Sequence, residues 1–349
     1  TSSLGGGIFA PSATFTIRNS IFSDNNSSKD GGAIYQSGGI STISDSTFTN
    51  NKASGDGGAI YESGGISTIS DSTLSGNTAK NNGGGIYNDG GTITVKNSTL
   101  SNNSAQNNGG GIHNIGIPEI TFDDGFISSG STGNLLVGNN LIAGNTAAIG
   151  SEIFNDSTLA SFTSLGYNIF GNSNNSGLNG ATPTDTDIVP SVSVKQIIAP
   201  LGNYGGTTQT HALLPGSLAI NAGDPNVTTP DQRGVARVGR ADIGAFESQG
   251  FTIKTTDGDN QSTTVNQNFN NPLTVTVTAN DPNEPVAGGV VTYTASTIGA
   301  SANLSANQAT INASGQASIT AKANTTTGNY GVNVGSNGIA NTTTFNLTN

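Results

Sequence analysis

The sequence predicts an all-β chain, a parallel β-helix of 26-residue coils followed by a β-sandwich. Two observations carry the first part. Residues 31–56, GGAIYQSGGISTISDSTFTNNKASGD, are followed in step by GGAIYESGGISTISDSTLSGNTAKNN. Columns of like residues then continue that spacing in both directions. A third observation carries the second part. At residue 249 the repeat gives way to stretches of period-2 alternation, with turn residues every 8–12 positions or so.

The columns define the coil. Ile8, Ile34, Ile60, Ile86 and Ile112 lie 26 apart, and the residues after them, Phe9, Tyr35, Tyr61, Tyr87 and His113, form a second column. Ile17, Ile43, Ile69 and Val95 make a third, and Phe22, Phe48, Leu74 and Leu100 a fourth. Asn25, Asn51, Asn77 and Asn103 make a fifth. A fixed period of this size means stacked supersecondary units. The unit is too short for a helical hairpin and is rich in Gly, Asn, Ser and Thr, so short strands bounded by turns are expected. Equivalent residues then stack at the strand spacing, about 4.8 Å. The Ile and Leu columns should point inward, and the Asn column should bond coil to coil at a turn. The Gly-Gly pair before each Ile should supply a bend that only glycine makes.

The repeat is interrupted once. IGIPEITFDDGFISSGSTG (115–133) is out of pattern, and Asn145 follows Asn103 by 42 residues, one coil plus 16. The expectation is a flank insertion of 16 residues, a loop or short hairpin. From 158 the spacing loosens. Residues 200–248 are expected to form a terminal coil, in which Arg233, Arg237 and Arg240 pair with Asp231, Asp242 and Glu247 to make a polar cap.

Composition narrows the function. The 349 residues carry a net charge of −11, and only 9% are charged. Nucleic-acid binding needs clustered Lys and Arg, which are missing. There is no Cys, so neither disulfides nor thiolate metal sites are available. No apolar run approaches the ~20 residues of a membrane helix, so membrane insertion is not expected. There is no GxxxxGK and no HExxH. His113 sits in the aromatic column, and His211 in THALLP, where structural roles are expected. Asp45 and Asp71 stack, but Asn19 and Asn97 fill the same column, which reads as a turn ladder rather than a carboxylate pair. Arg18 and Lys96 share a column with Ser44 and Ser70 and read as a solvated face. No catalytic residue and no required cofactor are assigned.

The coils GGGIYN and STLSNN resemble those of the pectin-lyase-like right-handed β-helices of bacterial surface proteins. LGNYGGTTQTHALLPGSLAINAGD, DQRG and DIGAFE resemble the terminal module called a choice-of-anchor Q domain. The likeness covers about residues 1–248 and implies an extracellular, cell-surface setting without an assigned reaction. In the second domain, residues 249–349, the pattern PVAGGVVTY at 285–293 with ASGQAS at 313–318 resembles the bacterial immunoglobulin-like repeats of invasins and large adhesins. That implies a spacer or display module.

Two sites are expected. Asp257 and Asp259 in DGDN, with Asp281 and Glu284 in DPNEP, are oxygen-rich turns that suit a calcium ion, although DG and DPN are also ordinary turn sequences. The stretch GGGIF is already in phase with the repeat, so the first coil should present an open edge, covered by upstream sequence or by another subunit. Head-to-tail assembly would use Gly5, Gly6, Gly7, Ile8 and Phe9 at one end and the last strand, with Phe345 and Leu347, at the other. The expected function is an extracellular structural subunit of a surface filament or adhesive coat. A fragment of a large monomeric adhesin and a glycan-binding or glycan-cleaving β-helix are the alternatives.

Overall fold

The computed structural model describes residues 3–121 and 127–349. The chain is all-β, with no α-helix among the described residues, and divides into two compact units. One comprises residues 1–194, 201–211 and 221–247; the other comprises 195–200, 212–220 and 248–349.

The first unit is a parallel β-helix. Its coils contribute strands to four parallel sheets. The first sheet has seven strands: Ile8–Pro11, Ile34–Ser37, Ile60–Ser63, Ile86–Asp89, Ile112–Ile115, Ile153–Asn155 and Leu178–Asn179. The second has six, beginning with Thr14–Arg18 and Ile40–Ser44, and the third has six, beginning with Ile21–Ser23 and Thr47–Thr49. A short fourth sheet starts at Asn26–Ser27 and Lys52–Ala53. The register is the sequence period: Ile34 pairs with Ile60, Ile43 with Ile69, and Phe48 with Leu74. Ile34, Ile43, Ile69, Leu74, Ile86 and Ile112 are fully buried and make one continuous apolar column stack.

Each coil turns at left-handed residues. Gly31, Gly57, Gly83 and Gly109 have φ of 64 to 68°, before the first sheet. Asn19, Asp45, Asp71, Asn97 and Asn139 have φ of 46 to 56°, between the second and third sheets. Asn and Asp tolerate this conformation better than other side chains. The interchange of Asp and Asn in that column is therefore a turn requirement. The second glycine of each Gly-Gly pair answers a different demand. A Cβ on Gly58 would lie 2.1 Å from the carbonyl oxygen of Gly84 in the next coil. One glycine makes the bend and the other lets the coils approach.

The interruption enters between the first and second sheets. Thr92 pairs with Asn134, 42 residues on, while the insertion folds as an antiparallel hairpin of Ile120–Thr121 with Ile127–Ser128. Residues 122–126 of the expected insertion at 115–133 lie outside the described residues.

The expected terminal coil at 200–248 is corrected. Residues 201–211 and 221–247 do not stack on the end of the helix. They run along its side, over the third sheet. Thr208 Oγ1 donates to the Asp45 carbonyl at 3.1 Å, His211 Nε2 meets Ser75 Oγ at 2.9 Å, and Ala245 N donates to Thr99 Oγ1 at 3.1 Å. Gln232 bridges, with Nε2 to Thr47 Oγ1 at 3.1 Å and Thr73 Oγ1 to its Oε1 at 2.6 Å. The outward Thr and Ser side chains of the third sheet are consequently buried. This segment is a lateral strap that joins successive coils.

The second unit holds antiparallel sheets. Phe251–Asp257, Leu273–Ala279 and Gln316–Ile319 form a three-stranded sheet. A five-stranded sheet orders Gln261–Ser262, Thr343–Thr348, Asn329–Gly335, Val290–Ala295 and Gln308–Thr310. Tyr293 of the second sheet donates its hydroxyl to the Leu273 and Ala317 carbonyls of the first, at 3.1 and 2.9 Å, so the layers pack face to face. Phe251, Val275, Val291, Val332 and Phe345 fill the space between them. Segments 195–200 and 212–220 belong to this unit through Ala199 N to Ala212 O, Gly216 N to Asn337 O, and Val290 N to Pro215 O.

Candidate functional site

Four arrangements of polar or aromatic side chains in the β-helix could carry chemistry. The first is the outer face of the seven-stranded sheet. Alternation points Ile inward and the next residue outward. Tyr35, Tyr61, Tyr87, His113 and Phe154 stack with ring centroids 4.8 to 5.1 Å apart and interplanar angles of 5 to 13°. Phe9 begins the column at 5.6 Å from Tyr35. Ring faces inside the stack are occupied by their neighbours, so it is not a platform for laying a sugar face on an aromatic ring. Tyr61 donates its hydroxyl to Asp89 Oδ2 at 3.0 Å. Burial, with the nearby aspartates adding, raises the Tyr35, Tyr61 and Tyr87 phenols, so they stay protonated. Burial pushes His113 down to about 4, which leaves it neutral and stacked.

The second arrangement is a set of side-chain ladders. In the Asn column, the backbone N and Nδ2 of each Asn donate to Oδ1 of the next. The distances are 3.0 and 2.8 Å from Asn25 to Asn51, 3.0 and 2.9 Å from Asn51 to Asn77, and 3.0 and 2.8 Å from Asn77 to Asn103. Asn103 repeats the pattern onto Asn145. Asn145 has no further Asn to donate to. Its N and Nδ2 instead reach Glu152 Oε2 at 3.3 and 2.5 Å, and Gly144 N reaches Oε1 at 3.0 Å. A parallel ladder runs Ser20, Ser46, Ser72, Ser98, Asn140, Asn168 and ends on Asp187. A third runs the other way: Asn82 N donates to Asp56 Oδ1 and Asp56 N to Asp30 Oδ1, each at 2.8 Å. All three end on a carboxylate at the accepting end. A carboxyl group brings at most one donor, and none when ionised, whereas a further amide would bring two N–H donors that each need an acceptor.

The third arrangement is a buried polar column inside the first sheet: Gln36, Glu62, Asn88, Asn114 and Asn155. Each binds the bend that follows its strand or the next amide in line. Gly65 N donates to Glu62 Oε1 at 2.9 Å, Gly91 N to Asn88 Oδ1 at 3.1 Å, and Asn88 Nδ2 to Asn114 Oδ1 at 2.6 Å. Ser67 Oγ also donates to Glu62. Burial pushes the Glu62 carboxyl up to about 7 and that of Glu152 up to about 8, each held back by the hydrogen bonds it accepts.

The fourth is the charge cluster under the strap. Arg233 pairs with Asp231 at 2.8 Å and lies 3.6 Å over the Phe246 ring. Arg237 pairs with Glu247 at 3.1 Å and lies 3.6 Å from Asp71. Burial raises Asp71 to about 6, and the Arg237 charge opposes that rise. Asp242 N and Val238 N donate to Glu247 at 2.8 and 2.9 Å. The pairing of these arginines with Asp231 and Glu247 follows the sequence reading, but the cluster braces the strap and caps no end coil.

The four expected calcium ligands are not brought together. Phe251 pairs with Ala279 and Asp257 with Thr274. Asp257 and Asp259 therefore lie at one end of this hairpin and Asp281 and Glu284 at the other, about 20 Å apart at ~3.4 Å per residue. Asp259 Oδ1 accepts from Asn346 N at 2.7 Å, and Glu284 accepts from Ser248 Oγ and Gln249 N at 2.8 and 2.7 Å. Among the described residues no group of three His, Asp or Glu side chains is placed to hold a metal ion.

The expected assembly residues fare unequally. Phe9 is 54% exposed, Gly7 is exposed, Ile8 and Gly6 are half-buried, and Gly5 is buried. Phe345 and Leu347 are buried in the core of their own unit. Their strand is already paired within its own unit, along its length to Asn329–Gly335 and at Leu347 and Thr348 to Gln261–Ser262.

Residues 1–127 match the family model described as a right handed beta helix region. Comparison with curated proteins and with solved structures found no significant match. The right-handed parallel β-helix is thus supported by register, by corner geometry and by that match. The ladder-closing acids and the strap went unread in the sequence. Glu152 and Asp187 stand where a ladder runs out, and the change from Gln36 to Glu62 between two near-identical coils was the one visible signal for the interior column.

Proposed function

We propose that the chain is a structural module of an extracellular surface protein with an adhesin-like role and no reaction of its own. One observation supports this most. Glu62, Glu152, Asp231, Asp242 and Glu247 are buried and Asp187 is half-buried, and each accepts hydrogen bonds that hold a bend, a coil stack or the strap itself in place. They are committed to rigidity, and no pair of them faces an open cleft as a glycosidase or lyase would need. The second unit then acts as a spacer or display domain of the immunoglobulin-like kind. Antibodies against the purified chain should label intact, unpermeabilised cells, and external protease should remove the label. Labelling only after permeabilisation overturns the surface role. New reducing or unsaturated ends formed from neutral or acidic polysaccharides would overturn the absence of a reaction.

Self-association through the first coil is a second reading, favoured by exposed Phe9 and Ile21 at 54% and 50%. A second copy would meet Gly5, Gly6, Gly7, Ile8 and Phe9, giving a filament or coat. Electron microscopy of the purified chain, with and without calcium, tests it. Ordered fibres support assembly, and single particles at all concentrations refute it.

A further inference from the structure

The column at the end of the second sheet carries Arg18, Ser44, Ser70 and Lys96, and then Gly138 and Leu165 in the two coils that follow. Gly138 has no side chain, so the column is missing one member between a lysine and a leucine. The strap segment 224–229 passes beside this gap and walls it. The result is a groove of about 310 Å³ lined by Lys96, Gly138, Leu165, Asp224, Asn226 and Val227, among others. That size is at the lower end of small-molecule sites, roughly 300–1,000 Å³.

The groove carries uncommitted polar groups at fixed places. The Lys96 ammonium makes no hydrogen bond or ion pair among the described residues, and its side chain is exposed. Asp224 is oriented from two sides. Its N donates to Asn139 Oδ1 at 2.9 Å, and its Oδ1 accepts from Asn226 N and Nδ2, both at 2.9 Å. Its Oδ2 accepts nothing from the described residues. Asn139 is itself buried and held by Asn97 at 3.1 Å and by the Asp242 carbonyl at 3.0 Å. The floor is therefore rigid. Leu165 is 45% exposed and, with Val227, gives the groove an apolar side.

We propose that this groove binds one or two residues of a neutral glycan. A carboxylate with an adjoining amide accepts and donates to neighbouring hydroxyls, and an ammonium donates to a third. Leu165 and Val227 take the C–H face of the ring. The single lysine is balanced by Asp224, and the chain as a whole is at −11. That balance favours an uncharged polyol over a polyanion. The site stands on its own geometry and does not rest on the surface role.

The test is ligand-observed NMR and calorimetry on the full chain. The probes are glucose, galactose, mannose, N-acetylglucosamine, their β-linked disaccharides, and galacturonate. At least one neutral sugar should bind, and Lys96→Ala and Asn226→Ala should each weaken it tenfold or more. Both side chains are exposed, so these variants leave the fold intact. Gly138→Val should abolish binding by filling the gap, with an unchanged circular dichroism spectrum as the control. If that variant fails to fold, the two exposed substitutions decide the matter. Absence of binding by every neutral sugar, binding unaffected by Lys96→Ala and Asn226→Ala, or binding of galacturonate alone would each overturn the proposal.

Discussion

Replacing Glu62 with Gln should stabilise the β-helix above neutral pH and remove much of its pH dependence. Glu62 is fully buried in the interior polar column, where its twin in the preceding coil is Gln36. Burial raises its carboxyl from an ordinary 4.5 to about 7. The folded state therefore binds this proton more tightly than the unfolded state does. Below about pH 4.5 both states are protonated and nothing is lost. Between 4.5 and 7 the unfolded chain ionises first, and stability falls as pH rises. Above 7 the cost is complete, of order 3 kcal/mol at about 1.4 kcal/mol per pH unit. Glutamine keeps an oxygen for Gly65 N and carries no charge to desolvate. The equivalent Gln36 places its Nε2 on the Gly38 carbonyl at 3.2 Å, so the coil accepts the shape. Urea unfolding followed by circular dichroism at pH 5 and pH 8 measures the effect. The variant should match the parent near pH 5 and exceed it by about 2–3 kcal/mol at pH 8. A variant less stable than the parent at pH 8, or one with an unchanged pH slope, would refute the assignment of the cost to a buried carboxylate.

Three further outcomes follow from the ladders, the corners and the strap. Glu152→Ala leaves Gly144 N, Asn145 N and one of the two Nδ2 hydrogens of Asn145 without their acceptor, while the other still bonds the Leu100 carbonyl. It should cost about 3 kcal/mol or more, at roughly 1–3 kcal/mol per unsatisfied buried donor, read as a lower unfolding midpoint. Gly58→Ala drives a Cβ to 2.1 Å from the Gly84 carbonyl and should cost more than about 4 kcal/mol or prevent folding, as judged by soluble yield and circular dichroism. Gln232→Ala removes the bridge to Thr47 and Thr73, so limited proteolysis should cut within 201–247 sooner while the β-helix spectrum persists. Equal protease resistance would show that the strap is held by its apolar contacts and ion pairs instead.

The repeat was legible because stacking in register forces each coil to present the same side chain at the same place. Ile34 over Ile60, Asn51 over Asn77 and the left-handed Asp45, Asp71 and Asn97 all follow from one spacing, and so do the Gly-Gly bends. The 16-residue insertion was legible by the same arithmetic, since Asn145 resumes the column after it. The alternation after residue 249 sufficed for strands, and burial of Phe345 and Leu347 follows from it. Their place between two strands of their own unit does not.

What sequence alone determined is therefore everything that one coil dictates to the next. Only the tertiary structure decided what aperiodic segments do. Thr47, Thr73 and Thr99 look like any outward threonines of a strand, and nothing local says that Gln232 and Ala245, more than a hundred residues away, will cover them. The same is true of Glu152 and Asp187, whose role depends on where a ladder of other residues stops. It holds for the groove beside Lys96, which exists because Gly138 leaves a gap and a distant segment walls it. A repeating contact is written into the chain many times, whereas a contact between distant segments is made once and leaves no period to read.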